Sequence, residues 1–309
     1  MINVLFAAGD ANWADYQLHL AAAFERQGLV VNLQTSLAPD QTDYIIYAPS
    51  SRLLDFAPYT RCKAVLSLWA GVEKIVTNTS LTQPLCRMVD PGLTQGMVEW
   101  VTGHAFRYHL GIDANLEAQD GKWIRSVPPL ASQRSVTVLG LGALGAACAT
   151  SLARLGFQVT GWSRRPKQIK GVTCHAGPDG LTKALRSAEI LVLLLPNTAE
   201  TTNTLNADTL AALPEGAFIL NPGRGTLIDD DALISALDSG QVAHATLDVF
   251  REEPLPKTHP YWAHPKVTVT PHIAAETRPG TASEVIAENI RRGESGEPFL
   301  HLVDRANGY

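Results

Sequence analysis

SVTVLGLGALGAACATSLARLGFQVTGWSRR, residues 135–165, reads as strand, glycine turn, helix and second strand. That order is one winding of a parallel α/β protein. Gly140-x-Gly142-x-x-Gly145 falls directly after the first strand and directly before the helix. A lone GxGxxG is weak evidence, but in this context it predicts a dinucleotide-binding turn. Gly140 permits the tight turn, Gly142 lets the backbone approach a pyrophosphate, and Gly145 lets the helix pack against the strand. The helix N-terminus offers free N–H groups and partial positive charge to phosphates.

The second strand ends at Ser163, where an acid would hold the two ribose hydroxyls of NAD. Ser163, Arg164 and Arg165 instead present a hydroxyl and two guanidinium groups, which suit the 2′-phosphate of NADP. Lys167 adds positive potential. One charge-assisted arginine–phosphate contact contributes about 1.5–3 kcal/mol, roughly ten- to a hundredfold in affinity.

Outward from this stretch, the same winding recurs. Downstream, EILVLLL (189–195), GAFILN (216–221), HATLDV (244–249) and KVTVTP (266–271) continue the series. Upstream, INVLF (2–6), GLVVNL, DYIIYA (43–48) and AVLSL (64–68) read as strands of a separate α/β unit, with a helix over 13–27. A long helical pattern covers about 94–111 and carries Met97, Val98, Trp100, Val101, Ala105, Phe106 and Tyr108. A polar linker with Pro128-Pro129 follows it. A last helical pattern, about 280–292, fits against either unit.

The bulk composition agrees. The 309 residues suffice for about two domains. Hydrophobic residues make up 45%, charged residues 18%, and the net charge is −5, against a nucleic-acid footprint. Apolar runs such as ILVLLL are too short to span a bilayer. The start, MINVLFAAGDANW, has no basic region and meets Asp10, so no signal peptide is expected. Cys62, Cys86, Cys148 and Cys174 show no CxxC or metal spacing; they read as reduced thiols of a cytoplasmic protein.

Three further segments fall at strand ends, where open α/β sheets place ligands. In ILNPGRGTLID (219–229), Arg224 sits between two glycines, where a sharp bend would let a guanidinium reach a carboxylate or 2-oxo group. LDVFREEPLP (247–256) carries Asp248, Glu252 and Glu253. In TPHIAAET (270–277), Pro271-His272 ends the last strand.

The order GxGxxG, NPGRG, DVFREEPLP, TPHIA resembles the D-isomer-specific 2-hydroxyacid dehydrogenase family over nearly the whole chain. AGVEKI (70–75) is similar to the family's substrate loop. LPNTAETTNTLN (195–206), WSRR and the tail VDRANGY (303–309) most resemble its glyoxylate/hydroxypyruvate reductase A branch. The resemblance implies a Rossmann-type doubly wound parallel sheet for the cofactor over residues 98–277. It implies a smaller flavodoxin-like α/β substrate domain from residues 1–97 and 278–309, with the active cleft between them. It implies that Arg224 binds the substrate carboxylate, that His272 is the acid/base and that Glu253 is its carboxylate partner. Asp248 is then the acid facing the nicotinamide side. Backbone N–H groups at Trp69, Ala70 and Gly71 hold the substrate. Ala143, Leu144, Leu195, Pro196, Pro222, Gly223 and Ala274 complete the cofactor set.

The implied activity is NADPH-dependent reduction of a small 2-oxo acid, glyoxylate to glycolate or hydroxypyruvate to D-glycerate. A homodimer through the long helix and the arm near Lys122 and Trp123 is also implied. The chemistry is coherent: a 2-oxo acid needs hydride at carbon and a proton at oxygen, and histidine is the neutral-range acid. A carboxylate beside the ring fixes its tautomer and favours the imidazolium. The arginine screens the anionic substrate and polarises its carbonyl. Two departures stand out. Trp69 replaces the glycine many members have before AGV, and Glu73 replaces an aspartate. The bulky indole of Trp69 either narrows the pocket or adds an aromatic wall. A reductase of a bulkier 2-oxo acid such as phenylpyruvate is the alternative enzyme reading. A non-catalytic NAD(P)-sensing protein of the same fold is a further alternative.

The remaining signals read as structural. Asp229-Asp230-Asp231 fits a helix N-terminus better than a metal site. His259 and His264, flanking Trp262, read as loop residues, and His104 and His109 as packing or surface residues. No metal site and no nucleophilic triad are expected.

Overall fold

The computed structural model describes residues 1–123 and 125–305, and the last four residues of the VDRANGY motif lie outside this range. The chain forms two compact units, Met1–Leu93 with Glu276–Tyr309, and Thr94–Ala275. The sequence reading expected the changeovers at 97/98 and 277/278.

In the first unit, β1 (Ile2–Ala7) leads into α1 (Asp10–Arg26), then β2 (Val31–Gln34), β3 (Tyr44–Tyr47), β4 (Ala64–Ser67), the short α2 (Glu73–Val76) and β5 (Leu85–Cys86). The five strands order as β2-β1-β3-β4-β5 and pair in parallel, the flavodoxin-like arrangement. Side chains alternate along each strand. Val4, Phe6, Tyr44, Ile46 and Leu66 therefore face one core layer, and Leu5, Ile45, Tyr47 and Val65 the other.

The second unit begins inside α3 (Pro91–His109), and α4 (Ile112–Glu117) follows it. Met97, Val101, Ala105 and Tyr108 recur at helical spacing and are buried against the larger sheet. That sheet takes β6 (Ser135–Leu139), α5 (Ala143–Arg154), β7 (Gln158–Ser163), β8 (Val172–Ala176), α6 (Gly177–Arg186) and β9 (Ile190–Leu193). It continues through α7 (Ala207–Ala211), β10 (Ala217–Asn221), α8 (Asp230–Ser239), β11 (Val242–Leu247) and β12 (Val267–Val269). The strand order is β12-β11-β10-β9-β6-β7-β8, all parallel. The order reverses between β6 and β9, so this is a doubly wound sheet whose switch point lies at the glycine turn.

The last helix, α9 (Pro279–Glu294), returns to the first unit and packs on α1 through Ala282, Ile286 and Ile290, four residues apart. Beyond it Val303 donates to Leu85 O at 2.8 Å, and the Arg305 guanidinium donates to Leu81 O and Gln83 O. No helix among the described residues is long and apolar enough to cross a membrane.

Candidate active site

The glycine turn leaves β6 with Gly140 at φ 103°. A Cβ there would sit 2.4 Å from Leu194 O, and one on Gly145 would sit 1.7 Å from Gly140 O. Both positions therefore exclude a side chain. Gly142 differs: a Cβ there would meet nothing within 4 Å. Gly142 and Ala143 are exposed and Leu144 is half-buried. No side chain caps the N-terminus of α5, so its first N–H groups are not taken up by a capping side chain. The turn thus has the room and the donors that a pyrophosphate requires.

At the end of β7, Ser163 Oγ donates to Arg165 O at 2.8 Å, so its proton is used within the loop. Arg164 Nη1 donates to Glu200 Oε2 at 3.2 Å. Arg165 and Lys167 are exposed. The adjoining loop carries Leu195, which is buried, and Pro196, which is half-buried.

Arg224 follows β10. Arg224 itself is extended (φ −144°, ψ 141°), and the chain bends on either side of it, at Gly223 and in the 3-10 turn Gly225–Leu227. Gly225 also serves close packing: a Cβ there would lie 2.0 Å from Phe250 C. Buried Asn221 sets the turn by accepting from Gly223 N at 3.1 Å and donating to Arg224 O at 3.0 Å. Pro222 and Gly223 are buried; Arg224 is half-buried, and its Nη1 donates to Gly223 O at 2.7 Å.

Phe250, packed against Gly225, donates its N–H to Glu253 Oε1 at 2.8 Å. The other carboxylate oxygen, Oε2, lies 2.7 Å from His272 Nδ1. The histidine side chain is 54% exposed. Glu253 and His272 are thus brought together, while Arg224 stands at the end of the strand adjoining β11, whose other neighbour β12 leads to His272.

Asp248, expected on the nicotinamide side, has a fully buried carboxylate. Oδ1 accepts from Thr270 Oγ1 at 2.6 Å and Ile273 N at 2.9 Å, and Oδ2 from Ala274 N at 2.9 Å. Its carbonyl also accepts from His272 N at 2.9 Å. His272 has φ 56°, a left-handed conformation that a non-glycine residue holds only when its surroundings enforce it. Asp248 supplies that enforcement. Ala274, expected on the cofactor, is buried within the same network.

Trp69, Ala70 and Gly71 follow β4 in the first unit, whereas Arg224, Glu253 and His272 belong to the second. Ser67 Oγ accepts from Trp69 N at 3.0 Å, and Met88 N donates to Trp69 O at 3.0 Å. The indole is exposed.

The other polar clusters are structural. Asp229 caps α8 by accepting from Ala232 N, and Asp230 accepts from Tyr261 Oη at 2.9 Å. Among the described residues no group of three His, Cys, Asp or Glu could hold a metal. His259 caps a short turn, His264 pairs with Asp238, and His109 is buried against Phe106 and Phe157. Burial pushes the Cys62, Cys86 and Cys148 thiols up to about 12.

Residues 105–274 match the model of the D-isomer specific 2-hydroxyacid dehydrogenase, NAD binding domain. The chain belongs to the D-isomer specific 2-hydroxyacid dehydrogenase family. It is 39% identical over 276 residues to glyoxylate/hydroxypyruvate reductase A of Yersinia enterocolitica, covering 86% of this chain and 88% of that protein. The Serratia proteamaculans protein of the same name is 40% identical with the same coverage. Among solved structures, a family member from Xanthobacter autotrophicus Py2 in complex with NADPH and MES superposes with TM-score 0.92 at 41% identity. The match covers 100% of this chain and 99% of that one. An NADPH-dependent glyoxylate/hydroxypyruvate reductase from Sinorhizobium meliloti, in complex with NADP and sulfate, gives 0.88 at 33% identity over 100% of both chains. Three contributors to this family member's site lay outside the sequence reading. Asn221 and Thr270 act through local hydrogen bonds, and Glu200 pairs with a residue far away in the chain. Only the asparagine, beside a proline–glycine turn, carried a local signal.

Proposed function

We propose that this chain reduces small 2-oxo acids with NADPH, taking glyoxylate to glycolate and hydroxypyruvate to D-glycerate. The observation that carries the reading is the 2.7 Å contact between His272 Nδ1 and Glu253 Oε2 at a strand end, with the histidine side chain exposed. The likeness to reductases of that name over most of the chain supports the substrate class.

The residues fit a dinucleotide: the open backbone at Gly142 and the uncapped start of α5 receive a pyrophosphate, and Arg164 and Arg165 receive a 2′-phosphate. When bound, the reduced nicotinamide supplies the hydride. Glu253, held by the Phe250 N–H, keeps the proton on His272 Nδ1, so Nε2 is the nitrogen that serves the substrate. His272 Nε2–H then donates its proton to the carbonyl oxygen as that oxygen gains charge. Arg224 pairs with the substrate carboxylate. Asp248 holds the His272 backbone in place.

Steady-state NADPH oxidation with glyoxylate, hydroxypyruvate and phenylpyruvate at equal concentration tests this. The expected kcat/KM favours the two small acids by about tenfold or more. A tenfold advantage for phenylpyruvate overturns the substrate assignment. Tight NADPH binding without turnover of any 2-oxo acid assigns the chain to cofactor sensing instead.

We also infer a homodimer. Leu110, Ile112, Leu116, Trp123, Val127 and Leu130 are all exposed within one stretch of the second unit, and Trp123 is 95% exposed. Apolar surface on this scale marks an interaction site, and a second copy is the occupant we assign. The four free thiols support a reducing, cytoplasmic location, which cell fractionation tests.

A further inference from the structure

Arg164 Nη1 and Glu200 Oε2 lie 3.2 Å apart, with side chains 44% and 73% exposed. The two residues follow β7 and β9, strands that flank β6 on either side. Their ion pair therefore spans the end of β6, where the glycine turn exposes Gly142 and Ala143. The loop that carries Glu200 is ordered by its own threonines. Thr201 Oγ1 donates to Pro196 O at 2.7 Å and accepts from Thr198 N at 2.9 Å, and Thr202 Oγ1 donates to Thr198 O at 3.0 Å. The carboxylate is thus presented to Arg164 by a built turn.

We propose that Glu200 is a specificity-tuning residue, an internal competitor with the cofactor's 2′-phosphate for Arg164. This rests on the NADPH reading above. A phosphate monoester carries about −1.5 to −2 charges near neutral pH and three acceptor oxygens. An exposed ion pair is weak, so it yields to such a group. Glu200 then faces a like charge across the guanidinium it has lost, and it retakes Arg164 as the cofactor leaves. The consequence is weaker binding and faster release of the phosphorylated cofactor alone. Product release limits many enzyme cycles, so a carboxylate at this position favours turnover over retention.

The test measures NADPH and NADH binding by nicotinamide fluorescence, and dissociation by stopped flow. The variants are Glu200→Gln, Arg164→Ala and the double substitution, each first checked for an unchanged unfolding transition. The expected result for Glu200→Gln is an NADPH Kd about three- to tenfold lower, carried mainly by slower dissociation. NADH affinity stays within about twofold, and the gain vanishes in the Arg164→Ala background. An unchanged or raised NADPH Kd in Glu200→Gln overturns the proposal, as does a gain of equal size without Arg164. Should Arg164→Ala weaken NADPH and NADH equally, the phosphate reading fails and takes this proposal with it. If Arg164→Ala discriminates between them while Glu200→Gln changes nothing, only the role of Glu200 is lost.

Discussion

His244 on β11 shows how one side chain sets a pH limit. Its Nε2 lies 2.9 Å from Thr268 Oγ1, and its ring lies beside Tyr108. Burial, helped by the nearby Arg107 charge, pushes its pKa from 6.5 down to about 4. The folded chain therefore holds the ring neutral where the unfolded chain already binds a proton. The stabilisation is complete above pH 6.5 and is lost as pH falls from 6.5 toward 4. Its size is at most roughly 3 kcal/mol. Urea unfolding at pH 7.5 and 4.5 should show wild type losing more stability than His244→Gln, and equal losses would count against the assignment. At this scale the motifs NPGRG, REEP and TPHIA single out Arg224, Glu253 and His272 from the sequence alone. They could not show that Asp248 points inward. That depends on β12 delivering Thr270 and the 272–274 backbone beside it, a tertiary fact with no local signature.

The turn between β6 and α5 separates two uses of glycine. Gly145 exists for packing, since its Cβ would lie 1.7 Å from the Gly140 carbonyl oxygen in the turn. Gly142 faces open space, and the role proposed for it is to admit a ligand. Gly145→Ala should destabilise the second unit by about 1–3 kcal/mol. Gly142→Ala should leave stability within about 0.5 kcal/mol and weaken NADPH by tenfold or more. Denaturant unfolding with NADPH titration distinguishes them, and a Gly142→Ala protein with native affinity would refute the ligand role. The runs ILVLLL and SVTVL announced central strands because burial on both faces demands continuous apolar sequence. β8, VTCHA, did not: it is an edge strand with one neighbour, only partly buried, and its mixed residues suffice there. The periodicity of α9 did not fix its partner, because its Ala282–Ile286–Ile290 stripe fits any apolar face; the family resemblance assigned residues 278–309 to the first domain, and the fold shows α1 as the helix that receives it.

At the scale of the molecule, two runs of alternating strands and helices announced two α/β units, and the chain folds as two parallel sheets. The exact changeovers were not readable, since the first lies inside α3, whose helical pattern crosses it without interruption. The dimer reading belongs to this scale. Light scattering of the purified chain should give twice the chain mass, and Trp123→Glu should shift it toward the monomer. A monomeric wild type would remove the interface assigned to residues 110–130. All of the proposed chemistry, in turn, converges on one ring. The direct test is single-turnover reduction of glyoxylate by His272→Ala loaded with NADPH. The account predicts a rate lower by about a hundred- to ten-thousandfold, with NADPH affinity within about threefold of wild type. A wild-type rate would contradict it.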